Sequence, residues 1–514
     1  VKRKNFLQLK KLVKALPGTE IKGDTAQEIT NLAYDSRKVM GKGLFVAIKG
    51  HKADGHRFIE QAVKNGARTI VVEKEEGTVP PSVTQIKVKN SRQALSLLSA
   101  CFYGYPASRL RLIGITGTSG KTTTSYLVES ILHTAGFSVG VLGTVSYRYG
   151  AKVKPAPVTT PESLDLQALL AEMVREGITH VVMEVSSHAL DQGRLGEMVF
   201  DQAVFTNLSQ DHLDYHQDME LYFQAKTGLF HQHLKKNGKG LAIINRDDPY
   251  GQRLWRECQD PKKDFGIEHK ASYFPLEIRS SLNGIQARIQ TPQGEYPIKS
   301  SLIGRFNMYN ILAAWAVGEG FLLKGNIIQK GIESLTIVPG RMEPVPNKKG
   351  LTILVDYSHK PEALRFALSA LNGYGEGKIL TVFGCGGDRD QQKRPIMGRI
   401  AGQLSHLTII TSDNPRSEDP EKIILDIEQG LKEQGVTFLD RKDLKEIPES
   451  PGYTIVPDRR EAIALAVNLG LSGHKVLIAG KGHETYQLLG SKTVDFDDRE
   501  EVRKAIEAKD VQHG

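Results

Sequence analysis

"RLIGITGTSGKTTT", residues 111–124, decides how the rest of the chain is read. Its opening is an apolar run of strand length, and a helical stretch begins at Lys121. Between them lies a tight glycine turn. A strand that enters such a turn and leaves it as a helix points backbone N–H groups at one spot, which suits phosphate oxygens. The loop is Gly117-Thr118-Ser119-Gly120-Lys121-Thr122, followed by Thr123. The usual spacing puts a glycine where this chain has Ile115, so the strict pattern fails while its physics holds. Lys121 is placed to reach terminal phosphates, and Thr122 to give a hydroxyl to magnesium. A turn that binds nothing would not need strand, loop, Lys-Thr and helix in that order.

Strands continue on both sides of this stretch. "SVGVLGTV" (138–145), "THVVMEVSS" (179–187), "QAVFTNL" (202–208) and "GLAIINR" (240–246) are apolar and alternate with helical segments, which predicts a largely parallel sheet. Before it, "GLFVAI" and "RTIVVE" read as short strands, and "HRFIEQAVKNGA" and "RQALSLLSACFYG" as helices; "YGYPAS" (103–108) reads as a linker. "TIVPGRMEPVP" (336–346) marks a second boundary, after which alternation restarts with "LTILVDY", "KILTVFG", "HLTIITS", "YTIVPD" and "KVLIAGK". The expected fold class is α/β in three domains: residues 1–107, a central P-loop-type parallel-sheet ATPase domain over 108–338, and a doubly wound, Rossmann-like domain over 339–514. "FGCGGDRD" is not a dinucleotide fingerprint, because Arg389 stands where the third glycine belongs.

The totals narrow the function classes. The 514 residues suit two to four domains, and 39% apolar with 25% charged residues is ordinary for a globular protein. A net charge of +9 without a basic block fits an anionic small substrate better than nucleic acid. Cys101, Cys258 and Cys385 are scattered and odd in number, which argues for a reducing cytoplasm and against a disulfide framework or zinc site. No run reaches the roughly 20 apolar residues of a membrane span. The basic start "VKRKNFLQLKKLVKAL" spaces Phe6, Leu9, Val13 and Leu16 on one helical face, predicting a surface helix packed on the first domain.

Downstream of the loop stand Glu184 in "VVMEVSSHAL", His212 in "LSQDHLDYH" and Lys226 in "YFQAKTGLF". Singly each reads as a surface or loop residue. As a set they point to one site, with Glu184 and His212 at strand ends of one sheet, where ligands of open α/β sheets gather.

With "GTSGKTT", "TTPESL", "MEVSSHALDQGR", "TNLSQDHLDYH", "YFQAKTGLF", "GRFNMYN", "PGRME", "VDYSHKPEAL" and "SDNPR" in order from about residue 30 to about 500, the chain resembles the Mur ligases. The resemblance implies an ATP- and Mg²⁺-dependent ligase of peptidoglycan synthesis. It would add meso-2,6-diaminopimelate to the D-glutamate of UDP-N-acetylmuramoyl-L-Ala-D-Glu through an acyl phosphate. A monomer is the family expectation. The metal set implied is Thr122, Glu184, His212 and Lys226, with Lys121, His212 and Lys226 catalytic. Lys226 would be carbamylated, since an ammonium cannot coordinate a cation and a carbamate can. No nucleophilic Ser-His-Asp arrangement is needed, because phosphorylation itself turns the carboxylate into an electrophile.

The resemblance also implies the grip on the substrates. Ser36 would face the uridine diphosphate end; Thr159, Thr160, Ser186, Gln192 and Arg194 would hold the rest of the nucleotide-sugar peptide. Helix capping is the alternative for Thr159-Thr160, and the pair could cap and bind at once. Asn307, Asn310, Arg341, Asp356 and His359 would complete the ATP site as the third domain closes. Ser358 and Lys360 depart from the residues more common in the family, and Lys360 adds a cation.

Asp413-Asn414-Pro415-Arg416 follows an apolar strand and reads either as an Asx turn or as a pocket. As a pocket, Arg416 would hold the distal carboxylate of diaminopimelate in two parallel hydrogen bonds, and Asp413 and Glu484 its ammonium, with Arg389 and Gly480 completing it. The alternatives are an L-lysine-adding enzyme, another ligase of the superfamily, or a P-loop switch ATPase.

Overall fold

The computed structural model describes residues 6–50, 53–76 and 79–512, with side chains to 508. Three sheets carry the chain, in the order the hydrophobic runs predict.

The central sheet has eight strands in the order Lys152–Pro155, Ser146–Tyr149, Val139–Leu142, His180–Glu184, Arg111–Thr116, Gln202–Phe205, Leu241–Asn245 and Lys262–Phe265. The last six are parallel, and the first two turn back as an antiparallel edge. Side chains of successive strand residues leave by opposite faces, so an apolar run buried on both sides feeds two cores. Ile113, Ile115, Val182 and Val204 pack on one face with the helices Lys121–Thr134 and Asn307–Gly320. Leu112, Val181, Met183 and Phe205 pack on the other with Tyr222, Phe223 and Phe230 of helix Met219–His231.

The first sheet has five strands in the order Glu20–Lys22, Thr84–Lys87, Ala67–Val72, Gly43–Val46 and Asn31–Ala33, all parallel except its first edge. The amino-terminal helix is shorter than the sequence pattern predicts, covering only Leu9–Val13. Leu9, Leu12 and Leu16 are buried and Phe6 is exposed. The pairing of Leu7–Gln8 with Glu28–Ile29 takes the start of the segment into a strand. Residues 1–5 of that expected helix lie outside the described residues.

The third sheet runs Glu343–Pro344, Thr352–Asp356, Lys475–Ala479, Ile379–Phe383, Leu407–Ile410, Gly452–Ile455 and Thr437–Phe438, parallel except for its first edge. Between the second and third sheets stands a three-stranded antiparallel meander, Phe274–Ser281, Gly284–Thr291 and Gly294–Ser300. The end of its first strand touches the third lobe, where Ser280 hydrogen-bonds Tyr374. Among the described residues no helix is long and apolar enough to cross a membrane.

One buried ion pair ties the carboxyl end of the third sheet to the final helix. Arg459 Nε and Nη2 donate to the Asp498 carboxylate at 2.7 and 2.8 Å, and Nη2 also donates to the Ala479 carbonyl at 3.0 Å. Both side chains are fully buried. Removing one partner strands a charge, so Asp498→Ala is expected to cost about 3–5 kcal/mol, whereas replacing both residues by leucine costs far less. Urea unfolding of the two variants checks this.

Candidate functional site

The phosphate loop keeps its shape because the segment after strand Gln202–Phe205 and the helix Asn307–Gly320 lie too close for side chains. Gly117 has φ +143°, and a Cβ there would lie 1.9 Å from Thr206 Oγ1; one on Gly120, at φ +86°, would lie 2.5 Å from Asn310 Oδ1. Neither conformation suits an L-residue. Asn207, two residues beyond the neighbouring strand, holds the loop, its carbonyl accepting from Thr118 N–H at 2.9 Å and its Oδ1 from Ser119 N–H at 2.9 Å. Thr206 Oγ1 donates to the Ser119 carbonyl at 2.6 Å. The cap bond of the following helix runs from Thr124 N–H to Gly120 O, which leaves the amides before it at a helix start facing outward. Thr123 is buried in that first turn. Gly117→Ala is therefore expected to destabilise the protein by about 2–4 kcal/mol, from strain and overpacking together. It should also abolish nucleotide binding, as a denaturation series and a nucleotide titration would show.

Lys121 folds back over this loop, its Nζ donating to Gly117 O at 2.7 Å and Thr118 O at 3.1 Å. Burial, with Lys360 adding a like charge, brings its ammonium down to about 8. Lys226 meets the same loop from helix Met219–His231, with Nζ donating to Gly117 O at 2.9 Å. It is 2% exposed. Burial, then Lys121 and Lys360, hold it well below the ordinary lysine range.

Glu184 closes its strand and gathers hydroxyls. Thr122 Oγ1 donates to Oε2 at 3.0 Å, Thr144 Oγ1 to Oε2 at 2.8 Å and Thr144 N–H to Oε1 at 3.0 Å. Thr159 Oγ1 lies 3.1 Å from Thr144 Oγ1. Thr160 is buried, donating to Glu184 O at 2.9 Å and accepting from Ser186 N–H at 3.0 Å. The helix that follows, Ser163–Arg175, is capped by Glu162, so neither threonine is spent on capping. Ser186 caps the short helix Ser187–Asp191. Arg194 donates to Thr160 O at 2.9 Å and to Gln192 Oε1 at 2.7 Å.

His212 does not end a strand. Its strand stops at Phe205, and His212 sits in the loop beyond, at φ +55°, ahead of the helix Leu213–His216. Asp211 supplies the carboxylate there, 3.0 Å from His212 Nε2. Burial lowers the His212 imidazole to about 3, overcoming the pull of Asp211. His188 packs edge-on against His212 at 4.9 Å between ring centroids and is itself lowered to about 4 by burial.

The third lobe reaches this group directly. Arg341 Nη2 donates to Thr122 Oγ1 at 3.2 Å, and its guanidinium stacks on Tyr357 at 4.5 Å. Asp356 is buried and accepts from Met342 N–H at 2.7 Å; burial raises its carboxyl. Ser358 hydrogen-bonds the same carboxylate. His359 Nδ1 meets Tyr357 O at 2.8 Å, and burial depresses it. Asn310 links the loop helix to Asn307, accepting from Thr124 Oγ1 at 3.2 Å and donating to Asn307 Oδ1 at 2.8 Å.

A second set lies apart, at the carboxyl ends of the third sheet. Asn414 Nδ2 donates to Glu484 Oε2 at 2.9 Å, while Asn414 Oδ1 accepts from Lys481 Nζ at 3.2 Å and Leu488 N–H at 2.9 Å. Burial raises the Glu484 carboxyl, with Lys481 opposing. Asp413 and Pro415 are buried; a Cβ on Gly480 would come within 2.5 Å of Asp413 Oδ2. Arg416 is half-buried at φ +52°, its Nη1 donating to Gly387 O at 2.8 Å. Arg389 is exposed and donates to Asp388 O.

Between the first and second lobes lies a cavity of about 1360 Å³, lined among others by Tyr34, Lys38, Tyr147, Lys152 and Arg194. Ser36 is buried between two of these residues and its carbonyl accepts from Asn65 Nδ2 at 2.8 Å. The lobes meet beside it through Tyr34 OH donating to Asp165 Oδ2 at 2.5 Å and the Arg92–Glu162 ion pair. Asp211, Thr144 and Asn207 were not singled out by the sequence, although the first and last sit inside quoted motifs beside residues that were. Among the described residues no cluster of three His, Cys, Asp or Glu is arranged for a metal.

Family models match three stretches: "Mur ligase family, catalytic domain" over residues 28–103, "Mur ligase middle domain" over 115–318 and "Mur ligase, glutamate ligase domain" over 340–482. A protein of Geobacter sulfurreducens named UDP-N-acetylmuramoyl-L-alanyl-D-glutamate–2,6-diaminopimelate ligase is 46% identical over 507 residues, covering 98% of this chain and 99% of its own. One of the same name from Caldanaerobacter subterraneus is 41% identical over 498 residues, covering 96% and 99%. A solved structure of a ligase of that name shares 32% identity with a TM-score of 0.67, covering 97% of this chain and 99% of its own. MurF of Acinetobacter baumannii, at 21% identity and TM-score 0.65 over 92% and 96%, shares the fold.

Proposed function

The chain belongs to the Mur ligase family, and on that premise we propose that it joins meso-2,6-diaminopimelate to the D-glutamate of UDP-N-acetylmuramoyl-L-Ala-D-Glu at the expense of ATP. The observation that carries this reading is the contact of Arg341 with Thr122, which brings the third lobe onto the phosphate loop. The division of labour we propose follows the boundaries 107/108 and 338/339: nucleotide-sugar end, ATP site, incoming amino acid. The chain works as a monomer in the cytoplasm, in keeping with its three buried free cysteines.

The loop amides and Lys121 hold the nucleotide phosphates, and Arg341 approaches from the closing lobe. The acceptor lies along Thr159, Thr160, Ser186, Gln192 and Arg194, with its uridine end toward Ser36 and the large cavity. Its D-glutamate carboxylate attacks the γ-phosphorus. The bond to ADP breaks and an acyl phosphate forms. The diaminopimelate amine then adds to the acyl carbon, loses a proton, and expels orthophosphate. Positioning and charge neutralisation supply most of the acceleration.

The donors suit a hard divalent cation: the Thr122 hydroxyl and the buried Glu184 carboxylate, whose Oε2 draws both Thr122 and Thr144 hydroxyls. We assign Mg²⁺ to Thr122, Glu184, His212 and Lys226 as a carbamate. Bound there, it would offset negative charge on the phosphoryl group.

Orthophosphate release with each component omitted in turn tests the proposal. Release is expected only with ATP, the nucleotide-sugar dipeptide and diaminopimelate together. Release from ATP alone would make the chain a switch ATPase, and equal release with L-lysine would make it a different ligase.

A further inference from the structure

Resting on the reading of the loop as an ATP site, we propose that Lys360 is a second phosphate-binding cation, carried by the third lobe and delivered to the outermost phosphate of ATP. Its ammonium is 2.5 Å from Asp211 Oδ2 and 3.4 Å from the Thr118 carbonyl, the carbonyl that Lys121 also uses. A residue 242 positions away in sequence thus stands at the mouth of the phosphate loop. Lys360 and Asp211 side chains are each only 14% exposed, so this is an enclosed contact and not a surface pair.

Two features set it apart from a simple clasp between lobes. Lys360 is the N-cap of the helix Pro361–Asn372 and makes no capping bond. That position favours Ser, Thr, Asp or Asn, and the helix dipole there repels a cation. The chain therefore tolerates a local penalty to put an ammonium at this point. Moreover, Lys121, Arg341 and Lys360 converge on this mouth beside the carboxylates of Glu184 and Asp211. Such an excess of positive charge in a closed space is the composition of an anion receptor. The loop amides take the inner phosphates, so a cation arriving from the opposite lobe meets the outer one. Asp211 holds Lys360 until the nucleotide arrives.

The test compares binding of ADP and of the non-hydrolysable β,γ-imido analogue of ATP, both with Mg²⁺, to the full-length protein and its Lys360→Gln and Lys360→Arg variants. Lys360→Gln is expected to weaken the analogue by roughly tenfold or more, the scale of one charge-assisted hydrogen bond, while ADP changes by less than about threefold. Lys360→Arg recovers part of the loss. Thermal unfolding confirms the fold of each variant, and Lys360→Met carries the same comparison should the glutamine variant not fold. Equal weakening of both nucleotides makes Lys360 a lobe clasp only and overturns the proposal, as does no weakening of either. If the unmodified protein binds neither nucleotide, the underlying ATP reading falls instead.

Discussion

Lys226→Ala is expected to lower turnover by roughly 10³-fold or more, the scale seen when one preorganised charge-stabilising group is lost, and to recover part of it when formate or acetate is added. The side chain is buried against the loop, where solvation of an ammonium is lost and Lys121 and Lys360 repel it. A lysine in that position keeps its amine unprotonated and its electron pair free. The amine can add to carbon dioxide, release a proton and become a carbamate. A neutral amine is thereby converted into an anion that would offer two oxygens to the assigned Mg²⁺. A small carboxylate diffusing into the space left by alanine supplies the same oxygens. Lys226→Arg stays cationic and is expected to be equally inactive and beyond rescue. Labelled ¹³CO₂ should give a carbamate resonance in the unmodified protein and none in either variant. Full turnover of Lys226→Ala without any additive would remove the role.

Arg416→Ala is expected to reduce kcat/KM for diaminopimelate by roughly 10⁴-fold while leaving affinity for the ATP analogue unchanged. A site built to pair a polar group discriminates by about that factor, because rejecting the partner leaves buried charges unmatched. The guanidinium is anchored on one side by Gly387 O, and its backbone N–H donates to Leu488 O at 3.2 Å. That fixes the fork and leaves its other edge for two parallel bonds to a carboxylate. Arg416→Lys keeps the charge and loses the fork, so it should fall between the two. Lysine, which lacks the distal carboxylate, should be a poor substrate for the unmodified enzyme and no worse for Arg416→Ala. Equal use of lysine and diaminopimelate by the unmodified enzyme would contradict the assignment.

Much of this architecture is written in local pattern. The strands Arg111–Thr116, His180–Glu184 and Lys475–Ala479 are runs buried on both faces, and such runs stand out against polar helices. The loop glycines announce themselves because only glycine fits positive φ there. The meander at 274–300 was not legible: its strands alternate buried and exposed residues weakly, with polar residues on much of their length. The amino-terminal periodicity predicts too long a helix, because Leu7 pairs in a strand before Leu9 and Leu12 enter a short helix. The apolar run predicts His212 at a strand end, whereas the chain spends six residues in a loop first. Lys360 and Asp211 escaped pairing for a different reason: their contact depends on how two separately folded sheets meet, and no short-range pattern encodes that. The same holds for Thr144 and Asn207, whose value lies in what crosses to them from other strands.

The residues around Arg416 and the phosphate loop stand on different sheets, joined through Arg341, Lys360 and the meander's touch on Tyr374. Evolution can therefore retarget such a machine by recasting one module while inheriting its engine untouched. Chimeras cut near residue 339 are the natural way to breed ligases that stitch unfamiliar amino acids into a cell wall.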